Sequence, residues 1–316
     1  MNIDLIRNQL TKRRLTIGGI AFAVFAVFYV AMSWYVVAQA LEAEVIEFEH
    51  LPGEFGMAYE DVSFSPRGDD SITLRGWWFP VDDAVGTVIW VHGLDKNRTE
   101  NLPLLRDLNN EGFSVLAFDL RGHGKSDSVP LGAGYKEPAD VRGAIDFLLG
   151  NKLPASSKLL LMGNSFGAAI ILMAAEGEPS VVGVYADSAF ASLPDLMVGE
   201  IERRTPFPAW FASMLRPGII QVGKLGGIEL DEVRPELAVA RYSDVVIGLA
   251  HCADDERIPV EHAVRIRAAA VDTGVWFNRY PRCGHTEGYD DFTEQYVSIV
   301  VAYFLDQLGL LEELPQ

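Results

Sequence analysis

From residue 59 onward, short apolar runs alternate with longer stretches of helical periodicity. The apolar runs are "GTVIWVH" (86–92), "FSVLAFD" (113–119), "KLLLMG" (158–163), "VVGVYAD" (181–187), "DVVIGLAH" (244–251) and "VWFNRYP" (275–281). Most are apolar throughout rather than alternating, as expected of strands covered by helices on both faces. Helical patterns fall near 98–111, 138–150, from 164 to about 177, 260–273 and 289–308. Strands and helices in this alternation form βαβ units, so the predicted class is α/β with a mostly parallel sheet. Two earlier strands, near 59–65 and 72–81, are separated by "PRGDD" and read as an antiparallel hairpin at the sheet edge. Residues 191–240 separate two strands by more than one helix requires, and they contain Pro206, Phe207, Pro208, Trp210 and Phe211. Long insertions in compact domains are often functional, and ligands bind at the C-terminal edge of open α/β sheets. The segment is therefore read as a short helical lid, with an ordinary pair of connecting helices as the plainer alternative.

The first 41 residues follow a different pattern. Arg7, Lys12, Arg13 and Arg14 precede Leu15–Leu41, a run of 27 residues without a charge. About 20 apolar residues suffice for a helix to span a bilayer. Trp34 and Tyr35 lie near the far end, where amphipathic rings favour the interface. Basic residues on the N-terminal side predict residues 1–14 in the cytoplasm, 15–41 in the membrane and 42–316 beyond it. "AQA" at 38–40 resembles a signal-peptide cleavage site, but signal h-regions run only about 7–15 residues. The segment is accordingly read as an uncleaved single-pass anchor.

The chain has 316 residues, 49% of them hydrophobic, enough for one large domain or two small ones. Its formal net charge of −18 argues against nucleic acid as a partner, because a broad basic face is needed to neutralise phosphates. The sequence carries no P-loop, no dinucleotide fingerprint and no cluster with metal-ligand spacing, so no cofactor and no metal is expected.

Candidate chemistry centres on Gly163-Asn164-Ser165-Phe166-Gly167, which directly follows an apolar strand and opens a helical pattern. In that setting G-x-S-x-G makes a sharp turn that strains the serine backbone and lifts Oγ clear of the sheet at a helix N-terminus. The residues two before and two after must be small, because neighbouring chain passes close by. A serine needs a base to act as nucleophile. Of six histidines, His251 and His285 follow the serine at strand ends, and His285 has the glycine-preceded loop that lets an imidazole reach over the sheet edge. It is the expected general base and then general acid.

Together, "VHG" after an early strand, "DLRGHGKS", G-x-S-x-G, then an Asp loop and a His loop resemble the α/β-hydrolase superfamily over residues 59–306. "GWWFP…VHG" and "ADSAFASL" are similar to single-domain esterases, thioesterases and serine-aminopeptidase-like members, some of them membrane-anchored. The resemblance implies a Ser-Asp-His order, an acyl-enzyme, and an oxyanion hole from the backbone N–H groups of Phe166 and Leu94. "HGLDKN" departs from the glycine-rich HGGG form, which bears on the second donor. His123 in the "RGHG" loop is expected to be structural. Aligning "HCADDERIP" with the family's H-G-x-x-D-x-x-V-P pattern through His251 and Pro259 implies Asp255 as the triad acid, with Asp254 and Glu256 as surface charge. In this alignment Cys252 stands at the glycine position. Cys252 and Cys283 flank the acid and base loops, which must meet for Asp255 to reach His285. They are expected either to form a disulfide stapling those loops or to be two buried thiols. The expected function is hydrolysis of a small-molecule or lipid acyl ester or thioester. A peptidase or amidase and a non-catalytic lipid- or partner-binding protein are the alternatives.

Overall fold

A computed structural model describes residues 3–42, 44, 46–151, 153, 158–206 and 208–311. Phe207 of the expected lid and the last five residues of the expected hydrolase region lie outside the described residues. The strands are β1 (Glu60–Phe64), β2 (Leu74–Phe79), β3 (Gly86–Val91), β4 (Phe113–Phe118), β5 (Leu159–Asn164), β6 (Val181–Asp187), β7 (Val246–Cys252) and β8 (Val275–Tyr280). They form a sheet in the order β1-β2-β4-β3-β5-β6-β7-β8. The β1–β2 and β2–β4 pairs are antiparallel and the remaining pairs are parallel. The hairpin expected near 59–81 is thus the antiparallel edge of an otherwise parallel sheet.

The helices are α1 (Ile3–Ala40), α2 (Leu102–Asn110), α3 (Pro138–Asn151), α4 (Ser165–Ala174), α5 (Leu193–Arg204), α6 (Ala209–Leu225), α7 (Pro235–Val239), α8 (Glu261–Ala269), α9 (Gly288–Asp291) and α10 (Thr293–Leu308). They divide between the two faces of the sheet. Side chains of α2, α9 and α10 join one buried cluster, and those of α3–α8 join the other. Alternate residues of a strand feed opposite clusters: Val88 and Trp90 face α2 and α10, while Ile89 and Val91 face α3 and α4. This is why the central strands are apolar at every position.

Several helices end earlier than their periodicity suggests. The helix opened by Ser165 stops at Ala174 rather than near 177, and α8 stops at Ala269 rather than near 273. Gly177, with φ 76°, and the turn at 271–274 break them. The last helical pattern is split at Phe292 into α9 and α10. Residues 191–240 hold α5, α6 and α7, a helical insertion whose buried side chains continue the α3–α4 cluster.

The N-terminal region is one continuous helix from Ile3, so the basic segment and the apolar run belong to the same element. Lys12–Ala40 has a mean hydropathy of 2.2 in its most apolar window and is long and apolar enough to cross a membrane. Its far end turns one side toward the sheet-and-helix body. Ser33 and Val37 are buried there, while Val30, Trp34 and Tyr35 remain exposed.

Candidate active site

Ser165 sits where β5 ends and α4 begins, with φ of 53°, a left-handed conformation rarely adopted by residues with a side chain. The flanking glycines are sterically required. A Cβ at Gly163 would stand 2.8 Å from the Val91 carbonyl oxygen, and one at Gly167 would collide with the Val91 and His92 carbonyls. Only glycine at both positions lets the turn lie this close to the end of β3, where Ser165 has 7% exposure.

His285 lies in the loop after β8, and its Nε2 is 2.8 Å from Ser165 Oγ. Its Nδ1 is 2.7 Å from Asp255 Oδ2. The tautomer that satisfies both contacts has Nδ1–H donating to Asp255 and Nε2 accepting from the serine hydroxyl. The other carboxylate oxygen, Asp255 Oδ1, accepts from the backbone N–H groups of Arg257 (2.9 Å) and Ile258 (2.8 Å). His251 Nε2 lies 3.4 Å from Oδ2 and donates to the Ile258 carbonyl at 2.7 Å. Burial raises the Asp255 carboxyl, but hydrogen bonding to His251 and His285 outweighs it and holds the group well below the usual carboxylate range. Asp254 and Glu256 are exposed on either side.

The acid and base loops are joined three ways. Ala253 N–H donates to the Tyr280 carbonyl at 2.8 Å, and Asp254 N–H donates to the Cys283 carbonyl at 3.3 Å. Cys252 and Cys283 form a disulfide with Cα atoms 5.2 Å apart. Of the two expected states for this pair, the structure has the bridge.

Phe166 is in the first turn of α4, where backbone N–H groups have no partner within the helix. Leu94 follows Gly93, and a Cβ at Gly93 would lie 3.6 Å from Ser165 Cβ, so the loop after β3 passes directly beside the serine. Three groups hold that loop. His92 is fully buried, takes up the Leu120 N–H through Nε2 at 3.1 Å and donates from Nδ1 to the Gly93 carbonyl at 2.7 Å. His123 packs edge-on against His92, its Nδ1 3.0 Å from the Arg121 carbonyl, in a buried turn away from Ser165's own contacts. Glu100 Oε2 accepts from Gly93 N–H at 2.7 Å, and burial pushes its carboxyl up to about 7.

Glu100 escapes sequence reasoning, because a single glutamate in a polar loop carries no pattern. So does Asp187 at the end of β6. It accepts from the hydroxyls of Ser188 (2.9 Å) and Tyr296 (2.8 Å), and burial raises its carboxyl against those hydrogen bonds. Ser188 in turn accepts at 3.4 Å from Thr286 N–H, next to His285. The helical insertion reaches the same neighbourhood: Val233 and the Phe166 ring both close on Gly134, at 2.8 and 3.7 Å from where its Cβ would be.

A parallel sheet with an antiparallel edge, a serine at a strained strand-to-helix turn, and acid and histidine loops after the last two strands define a hydrolase architecture. The chain belongs to the alpha/beta hydrolase family, whose model matches residues 88–306. It is 30% identical over 263 residues to the uncharacterized protein YfhR of Escherichia coli O157:H7, covering 79% of this chain and 82% of that one. The fold is similar to that of an esterase from Pyrococcus furiosus, with a TM-score of 0.69 and 22% identity over 84% of this chain and 97% of that one. It is also similar to the α/β hydrolase GrgF of a Penicillium species, with a TM-score of 0.64 and 17% identity over 80% of this chain and all of the other. The family membership supports a hydrolase activity.

Proposed function

We propose that the protein is a membrane-anchored serine hydrolase that cleaves carboxylic ester or thioester bonds. The observation that carries this reading is the unbroken contact chain from Ser165 Oγ through His285 to Asp255, at 2.8 and 2.7 Å. In the proposed reaction His285 Nε2 takes the Ser165 proton as Oγ attacks the acyl carbonyl carbon. The carbonyl π electrons move to oxygen, where the N–H groups of Phe166 and Leu94 receive the charge. As the carbonyl re-forms, the bond to the leaving alcohol or thiol breaks, and His285 returns the proton to it. Water then attacks the acyl-enzyme by the same route and releases the acid. Asp255 fixes the imidazole tautomer and stabilises the imidazolium without taking the proton. Its depressed pKa suits that role.

Residues 1–14 are assigned to the cytoplasm, 15–41 to the membrane, and 42–316 to an extracytoplasmic hydrolase domain with its lid at about 191–240. The basic residues before Leu15 support this orientation, and so does the disulfide, since such bonds persist in oxidising compartments.

A fluorophosphonate probe tests the chemistry. Labelling at Ser165 that disappears in Ser165→Ala is expected, and an unlabelled wild type would leave only a binding role. With a panel of esters, thioesters and amino-acid anilides, Asp255→Asn should lower kcat by about 10⁴, while Asp254→Asn changes it little. Equal losses would remove Asp255 from its role, and preferential turnover of anilides would make the protein a peptidase.

A further inference from the structure

Helix α6 contains a proline in its interior, Pro217, which has no N–H to donate along the helix. Next to it, Gly218 N–H donates to the hydroxyl oxygen of Tyr29 in α1 at 2.9 Å. That hydroxyl donates to the Met214 carbonyl, also at 2.9 Å. The phenol of Tyr29 therefore stands between a donor and an acceptor four residues apart, the pair that a regular helix bonds directly. Only glycine admits it. A Cβ at residue 218 would lie 2.6 Å from the Tyr29 ring and would collide with Ser33 Oγ. Phe28 stacks obliquely on Phe211, with centroids 6.3 Å apart, and completes the joint. Phe28 meets Phe211, Tyr29 meets Met214 and Gly218, and Ser33 meets Gly218, so α1 and α6 run in the same direction.

This joint fixes a depth. At about 1.5 Å per residue, a hydrocarbon layer of about 30 Å that begins at Arg14 ends near Trp34. Phe28 then lies about 9 Å inside the far boundary, and the N-terminal end of α6 lies beside it. That end is suited to lipid. The sequence holds no charge from Thr205 to Leu215. Pro206 and Pro208 have no N–H, and those of Thr205, Phe211 and Ala212 are bonded to the Ile201 and Pro208 carbonyls. Fewer backbone donors are thus left for water here than at an ordinary helix N-terminus, which favours an apolar medium. Trp210 is 66% exposed there. The opposite end of α6 is charged, with Lys224 paired to Glu229 and Asp231.

We propose that the N-terminal end of α6, carrying Trp210, is a membrane-contact surface. The Tyr29–Gly218 joint holds it within the leaflet that faces the hydrolase domain. The occupant of this surface is the lipid bilayer itself, and the inference rests on the reading that α1 crosses that bilayer. Lid and anchor are then one unit, and the lid meets acyl amphiphiles in the leaflet.

The test uses the full chain in phosphatidylcholine–phosphatidylglycerol vesicles, with a nitroxide on one introduced cysteine at a time. The native cysteines are paired with each other and take no label. Val24→Cys reports the span, Trp210→Cys and Ser213→Cys report the contact surface, and Leu225→Cys reports the far end of α6. Collision with oxygen, which partitions into lipid, is compared with collision with a water-soluble nickel chelate. The oxygen-to-nickel ratio is expected to be high at 24, severalfold higher at 210 and 213 than at 225, and low at 225. Ratios at 210 and 213 equal to that at 225, with 24 still in lipid, would overturn the contact surface and leave the span intact. A nickel-accessible residue 24 would remove the span and the proposal together. Ser213→Cys carries the test if the tryptophan substitution perturbs the joint.

Discussion

Ser165 and His285 are legible in the sequence because each is marked by its immediate neighbours. The serine has small residues at fixed offsets between a strand and a helix, and the histidine has a glycine-led loop at a strand end. The expected strain appears as the positive φ of Ser165. Asp255 was a matter of register among three consecutive acids, and the fold separates them: Asp255 is 5% exposed, while Asp254 and Glu256 face solvent. Glu100 was invisible, since its role depends on how the loop between β3 and α2 folds back to bring its carboxylate onto Gly93 N–H, seven residues earlier. Its carboxyl rises from an ordinary 4.5 to about 7, with burial as the main cause. Between those values the folded chain holds a proton that the unfolded chain has released. Stability therefore falls as pH rises through that window and levels off above it. Glu100→Gln should remove this slope, because glutamine still accepts from Gly93 and never ionises. Melting curves from pH 4 to 8 should show the variant gaining on the wild type by on the order of a few degrees. Parallel curves would mean that Glu100 ionises without a folding penalty.

Among the secondary-structure elements, strands are the best-determined by the sequence. β6 spans the expected residues, and the other parallel strands differ by one or two at their ends. Their signal is local, since burial on both faces demands apolar residues at every position. Helix ends are less legible, because Gly177 and the 271–274 turn act through backbone conformation rather than through hydrophobic pattern. The loops after β7 and β8 lie side by side because those strands pair in parallel, with Cys252 opposite Tyr280. The disulfide closes a sequence separation of 31 residues. A loop of that size constrains the unfolded chain by roughly 3–4 kcal/mol. Replacing both cysteines with serine should lower the melting temperature by about 7–14 °C and reduce kcat more than it raises KM, since acid and base loops lose their staple. An unchanged kcat would show that the two backbone hydrogen bonds between these loops suffice.

In the molecule as a whole, the N-terminal helix is more than an appendage to the hydrolase fold. Tyr29, Ser33 and Val37 are packed against it, so cleavage near Ala40 would strip a covering side chain from α6 and leave the gap at Gly218 empty. The intact chain should therefore stay in the membrane fraction after a carbonate wash, and a chain beginning at Glu42 should melt several degrees below it in detergent. Recovery of a soluble, equally stable form starting near Leu41 would identify the segment as a cleaved signal. By itself the sequence determined what short-range physics can write: the apolar span, the strand and helix alternation, the strained serine turn and the histidine loop. Each rests on residues adjacent in the chain, whose period or steric demand is visible without a partner. Only the tertiary structure decided that the two cysteines are bonded, that Glu100 holds the loop beside Ser165, and that α6 of the helical insertion is fastened to α1. The disulfide and the α1–α6 joint link residues 31 and 189 positions apart, and even the Glu100–Gly93 contact, seven apart, needs the loop to fold back on itself. Their energies come from desolvation and close approach, which exist only once the chain has packed.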